Sequence, residues 1–138
     1  MDDEIDRMDI DVPAGPEGVE QALSLAEECF RGCGVREPST LLLVLGELLR
    51  NASQHGCRGR GRIRGWIRRV AEGFEVEVRD EGQGFDVAVA AGVGLPDDPR
   101  NRSGYALINA LARRVEFANN GNTVRVLMVV GNESTEGR

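Results

Sequence analysis

Apolar residues recur with two different periods in the first part of the chain. From Met8 to Val12 every second residue is apolar, which predicts a strand. From Glu17 to Arg31 the apolar positions step by three and four, which predicts an amphipathic helix. A second helix is predicted from Ser39 or Thr40, either of which is a suitable cap, to about His55, where the glycine that follows ends it.

The rest of the chain is dominated by strands. Alternation and turn signals predict four of them, at residues 61–70, 74–79, 115–118 and 123–130. We expect Glu72-Gly73 to join the first pair into a hairpin and an Asn-Asn-Gly-Asn turn to join the last pair. A third helix is predicted from Gly104 to Arg114. The expected fold is an α/β (α+β) two-layer sandwich, a mixed but mainly antiparallel sheet with three helices on one face.

Length and charge limit the kinds of function. The 138 residues suggest a single domain over residues 1–138, long enough for two packed layers. The net charge of -6 disfavours a nucleic-acid partner, because duplex binding depends on a positive surface. No apolar run approaches the ~20 residues of a membrane span, and the acidic start of the chain shows no secretion signal. We therefore expect a cytoplasmic protein with no nucleic-acid and no membrane partner.

Two clusters have a plain structural interpretation. Six arginines within and just before the first hairpin could form a nucleic-acid patch. We instead expect Arg62, Arg64 and Arg68 to pair across strands with Glu75 and Glu77 on a solvent-exposed sheet face.

The three cysteines could also be drawn as a zinc set. Cys29, Cys33 and Cys57 would join His55, the only histidine. Their spacing lacks the short Cys-x-x-Cys knuckle, and small buried thiols are common in cores. Reduced cysteines without a metal are the simpler interpretation.

The end of the second helix carries polar residues that could take part in catalysis or metal binding. Glu47, Asn51 and His55 fall along one helical face, beside leucines that cover a wide apolar arc. A carboxylate at the edge of buried surface becomes more basic through desolvation, and an asparagine oxygen suits Mg²⁺. A polar helix face that meets solvent remains the alternative, and His55 fits a structural role at a helix end.

Two further motifs are weak when taken alone. Asp80-Glu-Gly82-Gln-Gly84 follows a strand directly, and its glycines would let a backbone approach a ligand, although a plain turn has the same composition. Ser103-Gly104 opens the third helix, where exposed amides bind phosphate, although a simple cap by Ser103 would look the same.

Together, the order and spacing of the three motifs resemble the Bergerat ATP-binding fold of the GHKL superfamily over nearly the whole chain. Residues 47–56 resemble its N-box, Asp80 to Gly84 its first glycine box and Gly104 to Ile108 its second. The sequence Gly-Glu-Leu-Leu-Arg-Asn-Ala-Ser-Gln-His-Gly resembles the anti-sigma-factor serine/threonine kinases, the RsbW-like branch. A histidine kinase would normally also carry a dimerisation helix pair, for which these 138 residues offer no candidate.

The resemblance implies a role for each matched residue. Glu47 would be the general base, Asn51 the Mg²⁺ ligand, and Asp80 the acceptor for the adenine amino group. The residues that would complete the ATP site are Gly82, Gly84, Arg100, Arg102, Ser103, Gly104 and Thr123. An ATP lid would extend over approximately residues 86–103. Arg100 or Arg102 would stabilise charge on the γ-phosphate.

The implied activity is phosphorylation, with ATP and Mg²⁺, of a Ser or Thr on an anti-sigma-factor antagonist (a STAS domain), together with sequestration of a sigma factor. A homodimer through the strand at Met8 to Val12 is a further implied partner. Arg102 and Tyr105 depart from the family's Gly-x-Gly-Leu pattern, and they favour the alternative of a nucleotide-binding module that sequesters a partner without phosphate transfer. An ATPase part of a larger machine is a third class.

Overall fold

In this computed structural model, the structure describes residues 7–56, 60–81, 104–118 and 122–130, with side chains at all of these except positions 55 and 56. The elements in chain order are β1 (Arg7–Pro13), α1 (Pro16–Gly32), α2 (Ser39–Asn51), β2 (Arg62–Val70), β3 (Gly73–Arg79), α3 (Tyr105–Leu111), β4 (Arg114–Ala118) and β5 (Thr123–Val129). Helix α2 continues into a π-helical turn over Ala52–Gly56, so the helical segment ends at the predicted glycine.

The five strands form one sheet in the order β1-β2-β3-β5-β4. All four neighbouring pairs among the described strands are antiparallel. Three helices complete the α+β architecture, and the predicted fold class is confirmed. Strands β1 and β4 form the two edges of the sheet.

The core lies between the inner face of the sheet and the helices. Its largest fully buried side chains include Phe30, Leu45, Leu49, Ile63, Ile67 and Met128. The ring of Phe30 on α1 meets that of Phe74 on β3 edge-on, with centroids 4.9 Å apart. The predicted periods therefore selected the buried faces of α1, α2 and β2 correctly. Within the described part of the chain, no helix has the length and apolar character needed to cross a membrane.

Helix and turn boundaries differ from the prediction where tertiary contacts decide them. Pro38 occupies the N-cap of α2, so neither Ser39 nor Thr40 caps it. Gly73 pairs with Val70 as the first residue of β3, which moves the hairpin turn one residue back from the predicted Glu72-Gly73. A side chain at Gly73 would place its Cβ 2.1 Å from the carbonyl oxygen of Met128, so this position must be glycine for β3 to pair with β5.

The third helix is shorter than predicted. It ends at Leu111, and Ala112 is already extended, with φ -93° and ψ 147°. The Arg113 N–H donates to the carbonyl oxygen of Leu127 at 2.8 Å, and Arg114 is the first residue of β4. Pairing with β5 therefore competes successfully with helix propensity at residues 112–114.

The outer face of the sheet carries the predicted arginine–carboxylate pairs, with some changes of partner. Arg68 pairs with Glu75 as expected, but Arg62 and Arg64 both contact Asp11 on β1. The hydrogen bond from Arg62 lowers the pKa of the Asp11 carboxyl. These contacts support the structural interpretation of Arg62, Arg64 and Arg68.

Glu77 on β3 is buried on this outer face and pairs with β5 instead of β2. The Arg125 guanidinium donates to the Glu77 carboxylate at 2.7 Å, and this hydrogen bond raises the pKa of Arg125. The guanidinium groups of Arg7, Arg68 and Arg125 also lie 5.2 to 5.5 Å from the ring centroid of Trp66. Cation–π contacts and ion pairs thus share the same arginines.

Candidate functional site

Helix α2 places Glu47 and Asn51 at the edge of the core. Its buried positions, among them Val44, Leu45 and Leu48, face the sheet and the other helices. The Glu47 side chain is 21% exposed, and Asn51 is half-buried. One helical turn separates the two, so both project from the same side of α2, as the spacing predicts. The side chain of His55, the third residue predicted on this face, lies outside the described residues.

Gly104 brings the start of α3 directly against Glu47. Its φ is +88°, in the left-handed region that favours glycine. A Cβ at this position would lie 2.0 Å from Glu47 Oε1. The N-cap residue of α3 is Gly104 itself, whereas Ser103, the predicted cap, lies outside the described residues. Both the backbone conformation and the limited space therefore require glycine at this position. The close approach brings together two of the predicted site residues, Glu47 and Gly104.

Asp80 and Thr123 lie at one end of neighbouring strands. Arg79 is opposite Thr123 in the β3–β5 register, and the Asp80 N–H donates to the Asn122 carbonyl oxygen at 3.0 Å. Thr123 is buried, and its hydroxyl donates to Asn122 Oδ1 at 3.2 Å. The sheet register thus holds these two predicted adenine contacts next to each other.

An apolar pocket extends between α2, α3 and this end of the sheet. Its lining residues are Leu48, Asn51, Ala52, Val78, Asp80, Tyr105, Ile108, Val115, Phe117 and Val124. Asn51 and Asp80 supply its amide and its carboxylate, and the other walls are aliphatic or aromatic. Few polar groups on an apolar surface are typical of a small-molecule site, where the apolar walls bind a flat group and the polar groups orient it.

The structure places the predicted residues in two adjoining groups. Asn51 and Asp80 line the pocket, and Glu47 contacts Gly104 beside it. Thr123 does not line the pocket but lies next to Asp80 through the register. Five predicted site residues lie outside the described residues, namely Gly82, Gly84, Arg100, Arg102 and Ser103, as does the predicted lid. The roles given to all of these residues remain predictions.

Two aromatic residues of the pocket are missing from the predicted site. Tyr105 on α3 and Phe117 on β4 stack with centroids 6.1 Å apart and an angle of 30° between the rings. Sequence comparison marked Tyr105 only as a departure from a leucine pattern. Its stacking partner comes from a different element, the strand β4, so no local spacing indicates the pair.

Arg50 and Ser53 are also absent from the predicted site. Arg50 Nη2 donates to Glu47 Oε2 at 3.0 Å, a pair that the three-residue spacing on a helix would have indicated. The buried Ser53 hydroxyl accepts a hydrogen bond from the Gly15 N–H at 2.8 Å. Ser53 thereby connects the π-helical turn to the start of α1, and its role is structural.

The zinc alternative has no support in the described part of the chain. No group of three or more His, Cys, Asp and Glu residues there could hold a metal ion. Cys29 on α1 and Cys33 at its C-cap are half-buried and pack against the core, whereas Cys57 and the His55 side chain lie outside the described residues.

Comparison with known protein families shows to which family the chain belongs. A family model described as a histidine kinase-like ATPase domain matches residues 12–128. The chain belongs to this family. The match runs from the end of β1 almost to the end of β5, and it confirms the resemblance at the level of GHKL-type, ATP-binding, kinase-like domains. No curated protein is similar enough to the chain to be matched as a relative.

Proposed function

We propose that this protein is an ATP-dependent serine/threonine protein kinase that acts as an anti-sigma factor in a partner-switching system. It phosphorylates a Ser or Thr of an anti-sigma-factor antagonist with a STAS domain, and it sequesters a sigma factor. The observation that carries the proposal is the contact of the Glu47 carboxylate with Gly104, beside the pocket that Asn51 and Asp80 line. On this proposal the Glu47 carboxylate would be a base beside an apolar pocket whose polar groups are those of Asn51 and Asp80.

The pocket suits an adenine ring. The Asp80 carboxylate would accept a hydrogen bond from the exocyclic amino group, and the apolar walls, including Val78 and Val124, would pack against the ring faces. Thr123, next to Asp80, would contribute a second polar contact. Gly82 and Gly84 would let the backbone approach the purine closely.

The residues present also suit Mg²⁺·ATP. Asn51 supplies a neutral oxygen at the pocket, the kind of single ligand that Mg²⁺ accepts while it keeps most of its waters. When bound, Mg²⁺ would neutralise charge on the ATP phosphates. Gly104 leaves room for close approach because it has no side chain, and Arg100 or Arg102 would pair with the γ-phosphate.

Glu47 would act as the general base. Its carboxylate would take the proton of the attacking Ser or Thr hydroxyl while that oxygen forms a bond to the γ-phosphorus and the bond to the β-phosphate oxygen breaks, with ADP as the leaving group. The direct test is transfer of labelled γ-phosphate to a STAS-domain antagonist encoded beside the gene for this chain. ATP that stays intact with every candidate partner would favour the sequestering module over the kinase.

Homodimerisation through β1 belongs to the same proposal. As an edge strand of the described sheet, β1 leaves one side of its backbone available for pairing with a second copy. A monomer at all concentrations in sedimentation equilibrium would contradict this part alone.

Nucleotide should stabilise the protein strongly if the pocket binds ATP. At a hundred times its dissociation constant, ATP should add about 2.7 kcal/mol to the free energy of unfolding, a rise of several degrees in Tm. Mg²⁺ should increase the shift with ATP and have little effect alone. Thermal unfolding with ATP, ADP and GTP, each with and without Mg²⁺, measures this. The absence of any shift with ATP or ADP would contradict the nucleotide site as a whole.

Tyr105 should contribute to nucleotide affinity through its ring. Truncation by Tyr105→Ala removes one wall of the pocket and its stacking on Phe117, and stacking of a base on an aromatic ring contributes roughly 1–3 kcal/mol. We expect ATP affinity to fall by about tenfold or more, whereas Tyr105→Phe keeps the ring and should bind within about twofold of wild type. Isothermal titration with ATP distinguishes the two, and equal affinities for both variants would exclude a stacking role.

A further inference from the structure

The Arg50 side chain folds back along α2 toward the start of the last turn. Its Nη2 donates to Glu47 Oε2 at 3.0 Å. On this path the guanidinium crosses Gly46, where an added Cβ would lie 2.9 Å from Nη2, 3.3 Å from Nη1 and 3.4 Å from Cζ. Apart from the neighbouring residues and the backbone of α2 itself, the three atoms nearest to that Cβ all belong to the guanidinium of Arg50. The absence of a side chain at Gly46 therefore makes room for Arg50 in this position.

Gly46 has no other evident reason to be glycine. It lies in the middle of α2, where glycine is among the poorest helix formers. Its φ does not fall in the left-handed region, which the structure records only for Gly15, Gly34, Gly61 and Gly104 among the described glycines. The backbone of α2 would accept alanine here without strain. The space above Gly46 is thus the feature that glycine provides.

The two oxygens of the Glu47 carboxylate have different surroundings. Oε2 accepts the hydrogen bond from Arg50, whereas Oε1 faces Gly104. A carboxylate that accepts a hydrogen bond through one oxygen has fewer orientations open to it, so the contact with Arg50 favours the orientation in which Oε1 faces Gly104. The Arg50 side chain is 44% exposed, and an ion pair that exposed contributes little to stability. Its main effect is on the orientation of Glu47.

We propose that Arg50 is a positioning residue for the base, and that Gly46 provides the space it needs. This inference rests on the proposed function, because it assigns Oε1 of Glu47 as the atom that receives the proton. Arg50 holds the carboxylate through Oε2 and keeps Oε1 directed at Gly104. Loss of Arg50, or displacement of its guanidinium by a side chain at position 46, leaves the base present but misplaced.

The experiment compares Arg50→Gln and Gly46→Ala with wild type, using Mg²⁺·ATP and the protein alone. Single-turnover release of labelled phosphate to water gives the rate, and isothermal titration with ATP gives the affinity. We expect both variants to release phosphate about tenfold more slowly, since small misplacement of a catalytic group costs one to two orders of magnitude in rate. ATP affinity should stay within about threefold of wild type, because neither residue lines the adenine pocket.

Two comparisons separate positioning from a general structural effect. Gly46→Ala should be at least as stable as wild type in thermal unfolding, because alanine is the better helix former, although it is slower. Arg50→Lys keeps a charge but not the planar fork, and it should recover part of the rate. In a Glu47→Gln background, Arg50→Gln should cause no further loss.

The matched control is Arg31→Gln on α1, which removes a helical ion pair with Glu27 at 3.1 Å far from the pocket and should leave the rate unchanged. If wild type binds and turns over ATP but Arg50→Gln is as fast as wild type, the inference is wrong and the proposed function stands. If Gly46→Ala releases phosphate at the wild-type rate while Arg50→Gln is slow, Arg50 positions the base but does not need glycine at position 46. If wild type binds no ATP, both are overturned. If wild type binds ATP but releases no phosphate to water, the same variants are compared in transfer to the STAS-domain antagonist, where no transfer by wild type overturns both.

Discussion

Substitution of Glu47 by Gln should slow transfer of the γ-phosphate by about 10²–10⁴-fold, the range that a general base contributes. Glutamine matches glutamate in size and can still accept a hydrogen bond from Arg50 Nη2, so the packing against Gly104 should survive. What is lost is the capacity to take the proton of the attacking hydroxyl. ATP affinity should change little. Rapid-quench measurement of labelled phosphate on the acceptor gives the rate, and isothermal titration gives the affinity.

Glu27→Gln provides the matched control. Glu27 also pairs with an arginine on its own helix, at 3.1 Å from Arg31, but it lies on α1 away from the pocket. It should transfer phosphate at the wild-type rate. Transfer by Glu47→Gln as fast as wild type would remove Glu47 from the role of base. A loss of ATP affinity equal to the loss of rate would instead make Glu47 a binding residue.

The sheet and the two long helices were predictable because burial repeats with the period of each element. On β2, Ile63 and Ile67 are fully buried while Arg64 and Arg68 are exposed, the alternation that the sequence displays. On α1, the buried positions step by three and four up to Phe30. Such patterns report which side of an element faces the core, and that suffices to predict two layers.

Boundaries were predicted less well because they depend on partners that are distant in sequence. The third helix was predicted to continue through residues 112–114, yet the hydrogen bond from the Arg113 N–H to the Leu127 carbonyl oxygen begins a strand there. The same holds for Glu77, whose predicted pairing was with β2. Its nearest guanidinium belongs to Arg125 on β5, on the other side of β3. A local window of sequence shows neither the pairing of residues 112–114 with β5 nor the ion pair between Glu77 and Arg125.

The candidate site likewise contains residues that the local sequence predicts and others that only the fold brings together. Glu47 and Asn51 follow from helical spacing, and Asp80 follows from its place directly after a strand, so these could be proposed from the sequence. The stacking of Tyr105 on Phe117 joins residues of two elements, and only the fold brings them together. The space that Gly46 leaves for Arg50 is still harder to predict from the sequence, because it depends on the rotamer of Arg50 and not on the backbone.

Gly104→Ala should damage the site about as severely as loss of the base. The new Cβ would lie 2.0 Å from Glu47 Oε1 and 2.8 Å from its Cδ, so the carboxylate must move. We expect transfer to slow by about a hundredfold, because a base displaced by an ångström or more no longer reaches the proton. The left-handed backbone adds roughly 1–2 kcal/mol of strain, which should lower Tm by several degrees. Transfer kinetics and thermal unfolding measure the two effects separately.

Gly34→Ala separates strain from contact. Gly34 has a similar φ of +96°, but a Cβ there would meet nothing within 4 Å. It should therefore lose a similar amount of stability and keep the wild-type rate, since backbone strain alone does not reach Glu47. If Gly104→Ala and Gly34→Ala lost only stability, and to the same extent, the approach of Gly104 to Glu47 would have no catalytic consequence. A loss of rate confined to Gly104→Ala would show that glycine is needed there to keep the carboxylate in place.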